Sequence, residues 1–212
     1  ALLIPYSEES VATSRYFRDI ISSVCMEAGA HDYKVIVSLL SRDKSLENQI
    51  NEIRLGGMAG GLILAGPSPE EVKILSKTLD GFPTMLLSAV SNDAPISFID
   101  VDNRGGMFQA IEHLTKLGHR RIAYVTPVET DSHAVQRLAA YQEAMEAHGM
   151  ANQIQVCEVP IKPEDESPFM ALLENQPSAV IAFDDFRALQ VQGFLIRRGF
   201  RIPEDISLIG FD

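Results

Sequence analysis

Short apolar runs alternate with amphipathic helical stretches along the whole chain, and this alternation limits the folds open to it. Ala1 to Ile4, Tyr33 to Leu39, Gly60 to Ala65, Pro83 to Ser88 and Ile96 to Asp100 read as strands. Phe17, Ile20, Ile21, Val24, Cys25 and Ala28 recur at helical spacing between the first two. Ser45 can cap a helix that turns Leu46, Ile50 and Ile53 inward, and Pro69-Glu70-Glu71 opens another, with acids at its positive end. The pattern then restarts. Asp102 can cap a helix to Leu117, strand Ile122 to Thr126 follows, and Ser132 precedes a helix through Met145 to His148. Strand Ile154 to Val159, a helix near Glu164 to Glu174, strand Ala179 to Phe183, a helix from Asp185 to Arg198 and strand Ile206 to Ile209 complete it.

Alternating β and α units imply parallel sheets covered by helices on both faces. About nine strands fit two doubly wound lobes better than one sheet. The expected fold is therefore α/β, with an N-terminal lobe over residues 1–100 and a C-terminal lobe over 101–212. In such folds ligands bind at the carboxyl ends of strands. That points to the loops after Ile4, Ala65, Ser88, Asp100, Thr126, Phe183 and Gly210, which line one cleft if the lobes face each other.

Charge narrows the function. The 212 residues carry a net charge of −11, spread evenly: 8 Lys+Arg against 13 Asp+Glu in residues 1–100, and 10 against 16 in 101–212. Neither half shows a basic face, so this segment is not expected to grip nucleic acid. Cys25 and Cys157 sit in apolar surroundings and read as buried free thiols, with a pairing between the two as the alternative. No apolar run is long enough to span a bilayer, and no signal peptide is visible. The chain opens on Ala within a strand, so a preceding segment is expected.

Few motifs carry chemistry by themselves. Gly56-Gly57-Met58-Ala59-Gly60-Gly61 precedes a strand and opens no helix, so it reads as a helix stop and tight turn, not a dinucleotide fingerprint. Gly105-Gly106, in the first turn of its helix, permits either a phosphate approach or close packing, and packing is the expectation. His113 and His119 lack metal-ligand spacing, and no Gly-x-Ser-x-Gly elbow occurs. No metal, cofactor or catalytic role is expected. Asp184-Asp185 ends a strand and admits three readings: catalytic or magnesium-binding carboxylates, a helix cap at Asp185 with Asp184 in solvent, or hydroxyl recognition. Arg137, one turn into its helix, is either a solvated surface charge or a fork that donates to a ligand.

Several pieces, in order, resemble the effector-binding core of the LacI/GalR family of transcription regulators. They are Ala1 to Pro5, Gly60-Gly61-Leu62-Ile63-Leu64 and Phe82 to Leu87, then Asp102-Asn103 with Gly105-Gly106, Ala110, His113-Leu114 and Gly118-His119-Arg120-Arg121-Ile122, then Ala179 to Ala188 and Ile202 to Asp212. The resemblance implies a periplasmic-binding-protein-like fold whose lobes close on a small effector, often a sugar. By position it places effector contacts on Tyr6, Ser88, Val101, Arg137, Asp184 and Asp212. Asp184 departs from the family's Asn, so the ligand group there should be a hydrogen-bond donor, or Asp184 pairs with Arg137. Ala65 and Val101 make apolar walls, and stacking on a sugar falls to Tyr6, Phe183 or Phe186. The resemblance further implies a cytoplasmic homodimer that binds operator DNA through a helix-turn-helix outside this segment, and a core incomplete at both ends. A periplasmic sugar-binding protein of a transporter is the alternative with the same fold.

Overall fold

The computed structural model describes residues 1–4, 11, 15–41, 43–79, 81–91, 95–128, 131–160 and 166–211. It divides into two units, Ala1–Val101 and Asp102–Asp212. Each is a parallel sheet with helices on both faces, so the α/β doubly wound reading holds.

In the first unit the strands are β1 (Leu2–Ile4), β2 (Val37–Leu39), β3 (Leu62–Ala65), β4 (Thr84–Leu87) and β5 (Ser97–Ile99), in the order β2-β1-β3-β4-β5. Three helices connect them: α1 (Arg15–Ala30), α2 (Leu46–Leu55) and α3 (Pro69–Thr78). Strand alternation sorts the core. Leu3, Leu62, Leu64 and Leu86 pack with Ile50 of α2 and Leu75 of α3, while Leu2, Ile4 and Ala65 meet Phe17 of α1 on the other side. The helix starts are written in the sequence. The Ser45 side chain accepts from Asn48 N, and Ser68, Pro69 and Glu71 form a capping box.

Two expectations fail here. Cys25 is exposed, not buried. It lies about 80° round the helix from Phe17, at the rim of the apolar stripe. The strand expected over Tyr33 to Leu39 shrinks to Val37–Leu39, and Tyr33 is largely exposed.

In the second unit β6 (Ile122–Pro127), β7 (Gln155–Val159), β8 (Ala179–Ala182) and β9 (Ser207–Ile209) run in the order β7-β6-β8-β9. The helices are α4 (Asn103–Lys116), α5 (Ser132–Ala147), α6 (Ser167–Glu174) and α7 (Asp185–Arg197). Every residue of β6 and β8 is buried, which is why they read as unbroken apolar runs. Ile122 and Tyr124 face α4 and α5, whereas Ala123 and Val125 face Phe169 of α6 and Phe194 of α7. Asp102 caps α4 as expected, but α5 is capped by Asp131, with Ser132 its first residue.

The Gly118-His119-Arg120-Arg121 turn ties the amino ends of this sheet. Gly118, at φ +92°, carries the chain out of α4 in a conformation that side chains disfavour. His119 Nδ1 lies 3.0 Å from Ser178 Oγ, and its Nε2 lies 3.1 Å from Ser207 Oγ. Arg121 donates to Gln176 O at 2.7 Å, and its own carbonyl accepts from Ser178 N at 2.8 Å. One histidine thus joins the segments entering β6, β8 and β9.

Candidate functional site

The opposite, carboxyl end of that sheet gathers the unusual side chains. Strand order reverses between β6 and β8, the switch point where doubly wound sheets leave a crevice. Helix α5 turns Ala134, Arg137, Tyr141 and Met145 onto its buried face. A guanidinium there would be costly without partners. Arg137 is only 1% exposed, so the surface-charge reading is wrong. Its Nε donates to Asn103 Oδ1 at 2.8 Å, and its Nη1 donates to the Phe183 carbonyl at 2.6 Å. Its Cζ lies 3.9 Å from the Phe211 ring centroid and 4.8 Å from that of Phe183, close enough for cation–π attraction. Asn103, also buried, passes the network on to Gln136 at 3.3 Å. Gly106 makes room for this packing, because a Cβ there would come within 2.5 Å of Phe211 Cζ. Packing is therefore the role of that glycine.

Asp184 caps α7, and Asp185 is the first helical residue, which reverses the capping alternative read from sequence. Asp184 Oδ1 accepts from Arg187 N at 2.7 Å, and Oδ2 pairs with Arg187 Nη1 at 2.9 Å. The arginine that holds Asp184 is thus Arg187, which the sequence reading passed over. It was detectable in principle: a positive charge in the first turn opposes the helix dipole and calls for a reason. The guanidinium of Arg187 also lies 5.4 Å from the Phe183 ring. Tyr124 completes the cluster. Its hydroxyl is buried beside Thr126 and has no well-formed hydrogen bond among the described residues. Burial drives its pKa up, against the pull of Thr126 and the two arginines.

In the first unit, Ser88 follows β4, is buried, and holds φ +59° with its N–H on Ile99 O at 2.9 Å. Val101, half exposed, follows β5. Ala65 is buried at the end of β3. Tyr6 and Asp212 lie outside the described residues. Of the six residues singled out from sequence, the structure brings Arg137 and Asp184 together around Phe183. Phe186 is about half exposed. Asn103, Arg187 and Phe211 are the additions. Among the described residues no cluster of three metal-ligating side chains occurs, and no helix is long and apolar enough to cross a membrane. The part-open acceptor of the cluster is the Asp184 carboxylate, whereas the buried Arg137 fork already donates to Asn103 and the Phe183 carbonyl.

Comparison with known proteins fits this geometry. The model of the periplasmic binding protein-like domain matches residues 111–212. The regulator CelR of Thermobifida fusca is 29% identical over 189 residues, covering 87% of this chain and 48% of that protein. The operon regulator NtdR of Bacillus subtilis is 26% identical over 201 residues, covering 93% of this chain and 61% of that protein. The chain thus spans only about half to three-fifths of these relatives. A LacI-family regulatory protein from Chloroflexus aggregans superposes with a TM-score of 0.79 at 26% identity, over 100% of this chain and 78% of that one. A CelR–cellobiose complex gives 0.82 at 22% identity, over 100% of this chain and 66% of that one, a likeness of fold. By sequence and fold together, the chain is similar to the periplasmic-binding-protein-like core of LacI-family regulators.

Proposed function

We propose that this chain is the sensing part of a DNA-binding transcription regulator and that its effector is a sugar or a related polyhydroxylated compound. The observation that carries the reading is the buried Arg137 fork beside Phe183 and the part-open Asp184, at the switch point of the second sheet. On the family resemblance alone, Ser88, Val101, Tyr6 and Asp212 are assigned as further effector contacts. The relative CelR is described in complex with cellobiose, which supports a saccharide. The ligand is bound and released, not converted.

Operator DNA is held by a helix-turn-helix outside these residues, since the acidic charge here is spread evenly. Near-palindromic operators call for a two-fold protein, so the whole regulator is a homodimer, acting in the cytoplasm. A transporter's secreted sugar-binding protein shares the fold, but the relatives compared above are regulators.

The test is a thermal-shift panel on the full-length protein with cellobiose, other neutral mono- and disaccharides, and nucleosides. A ligand at a hundred times its Kd adds about 2.7 kcal/mol of stability and raises the melting point visibly. A saccharide should do so and should change the affinity for operator DNA in a gel-shift titration. Stabilisation by nucleosides alone would overturn the sugar reading.

A further inference from the structure

We infer that Arg187 is a specificity-determining residue that acts through Asp184, holding the carboxylate in place and cancelling its charge so that the site selects a neutral polyhydroxylated ligand. This rests on the sugar-sensing reading above. The geometry is a two-point hold. The backbone N–H of Arg187 takes one carboxylate oxygen of Asp184 and its guanidinium takes the other, at 2.7 and 2.9 Å. The two side chains differ in access: Arg187 is 6% exposed and Asp184 25%. An incoming molecule therefore meets the acid, with the arginine behind it against Phe183.

Helix stability does not account for Arg187. A cation in the first turn opposes the dipole, and the cap is already made by its own N–H, which any residue but proline would supply. What the side chain adds is orientation and neutrality. A carboxylate has about four lone-pair sites, so roughly two stay open once Arg187 has taken its share. Those two accept from neighbouring hydroxyls on one ring. Because Arg187 offsets the charge, the ligand need bring no cation. An anionic ligand meets the acid first and is turned away. Arg187 is in this sense a positioning residue, since it reaches the ligand only through Asp184.

The experiment compares the complete wild-type protein with Arg187→Met, Arg187→Gln and Arg187→Lys by calorimetric titration. The probes are glucose, glucosamine and glucuronate, one ring in neutral, cationic and anionic form. Gln keeps a donor and drops the charge, so the comparison survives if Arg187→Met does not fold. Wild type should rank glucose first. Arg187→Met and Arg187→Gln should bind glucose about tenfold more weakly, the worth of one charge-assisted hydrogen bond. Glucosamine should then overtake glucose, while Arg187→Lys keeps the wild-type order. An unchanged ranking in the neutral variants, with glucose still bound, overturns this inference and leaves the sugar reading standing. A wild type that binds no neutral saccharide overturns the sugar reading, and this inference with it.

Discussion

The two ends of the second sheet are built from the same strands and do opposite work. At the amino end, His119, Ser178, Ser207 and Arg121 tie the segments that enter β6, β8 and β9, using neutral or exposed groups in short local contacts. At the carboxyl end, Arg137 is buried outright between two aromatic rings, and Asp184 sits partly open beside a second buried arginine. The first arrangement stabilises the fold at little electrostatic cost. The second takes charge out of water, which a fold does not need for its own sake. One recognisable piece of the sequence, Gly118 to Ile122, lies at the amino end. That one piece of the resemblance is separated from the candidate site by the length of a strand, whereas Asn103, Gly106 and Ala179 to Ala188 belong to both.

The contrast predicts unequal costs of substitution. Arg137→Ala should have the largest effect. It strands Asn103 Oδ1 and the Phe183 carbonyl and empties the space between two rings, so unfolding free energy should fall by about 3–5 kcal/mol. Effector binding should vanish with it. Arg137→Lys keeps a charge and one donor, and should separate the two losses: mostly folded, but weak in binding. Urea unfolding and ligand titration on both variants check this. A stability loss under about 1 kcal/mol for Arg137→Ala would mean the carboxyl end is no more costly than the other.

Gly106→Ala probes the same end without touching a charge. The new methyl must displace the Phe211 ring, 2.5 Å away, from its place against Arg137. Overpacking of this kind costs about 1–3 kcal/mol. Because Phe211 borders the site, ligand affinity should fall along with the urea midpoint. Lost stability with intact affinity would remove Phe211 from the binding surface.

How much of this was legible follows from what each residue needs. The caps at Ser45, Ser68 and Asp102 were readable because a short polar side chain before an apolar period has one job. Strands β6 and β8 were readable because burial on both faces demands unbroken apolar runs. Arg137 and Asp184 were reached through family resemblance, since a lone helical arginine and an acid pair each admit surface readings that sequence cannot dismiss. Arg187 was missed because its partner lies three residues away on the same helix turn, a spacing that most often marks an exposed pair. Cys25 was misplaced because periodicity gives the direction of a stripe and not its width. Tyr6 and Asp212 lie outside the described residues and rest on resemblance.

At the amino end, His119→Ala should cost about 1–2 kcal/mol, the worth of its two hydrogen bonds, and leave ligand affinity untouched. The histidine also gives this end a pH signature. Burial lowers its pKa below the ordinary value of 6.5, so the folded protein takes up the proton less readily than the unfolded chain. Its neutral form fits the fold, and full stability is present above pH 6.5. As pH falls through 6.5, the unfolded chain gains the proton first, and stability declines until the folded pKa is passed. Urea midpoints at pH 7.5 and 5.5 should therefore differ more for wild type than for His119→Ala. Equal differences would show that His119 carries no part of the acid sensitivity.

The smallest effect tests whether the carboxyl-end cost extends to the first unit. Ser88 holds φ +59°, a left-handed conformation that costs a side chain about 1 kcal/mol, and spends its N–H on Ile99 O. Ser88→Gly relieves that strain but loosens the unfolded chain by a similar amount, so net stability should shift by less than about 0.5 kcal/mol. Ser88→Val, branched at Cβ, should lose about 1–3 kcal/mol at the same position. The two variants bracket the strain, and the serine itself is explained by neither the turn nor the core. If its hydroxyl meets the ligand, Ser88→Gly should weaken effector binding severalfold at unchanged urea midpoint. Unchanged binding would confine the costly, ligand-facing chemistry to the second unit and leave Ser88 as a turn residue that glycine could replace.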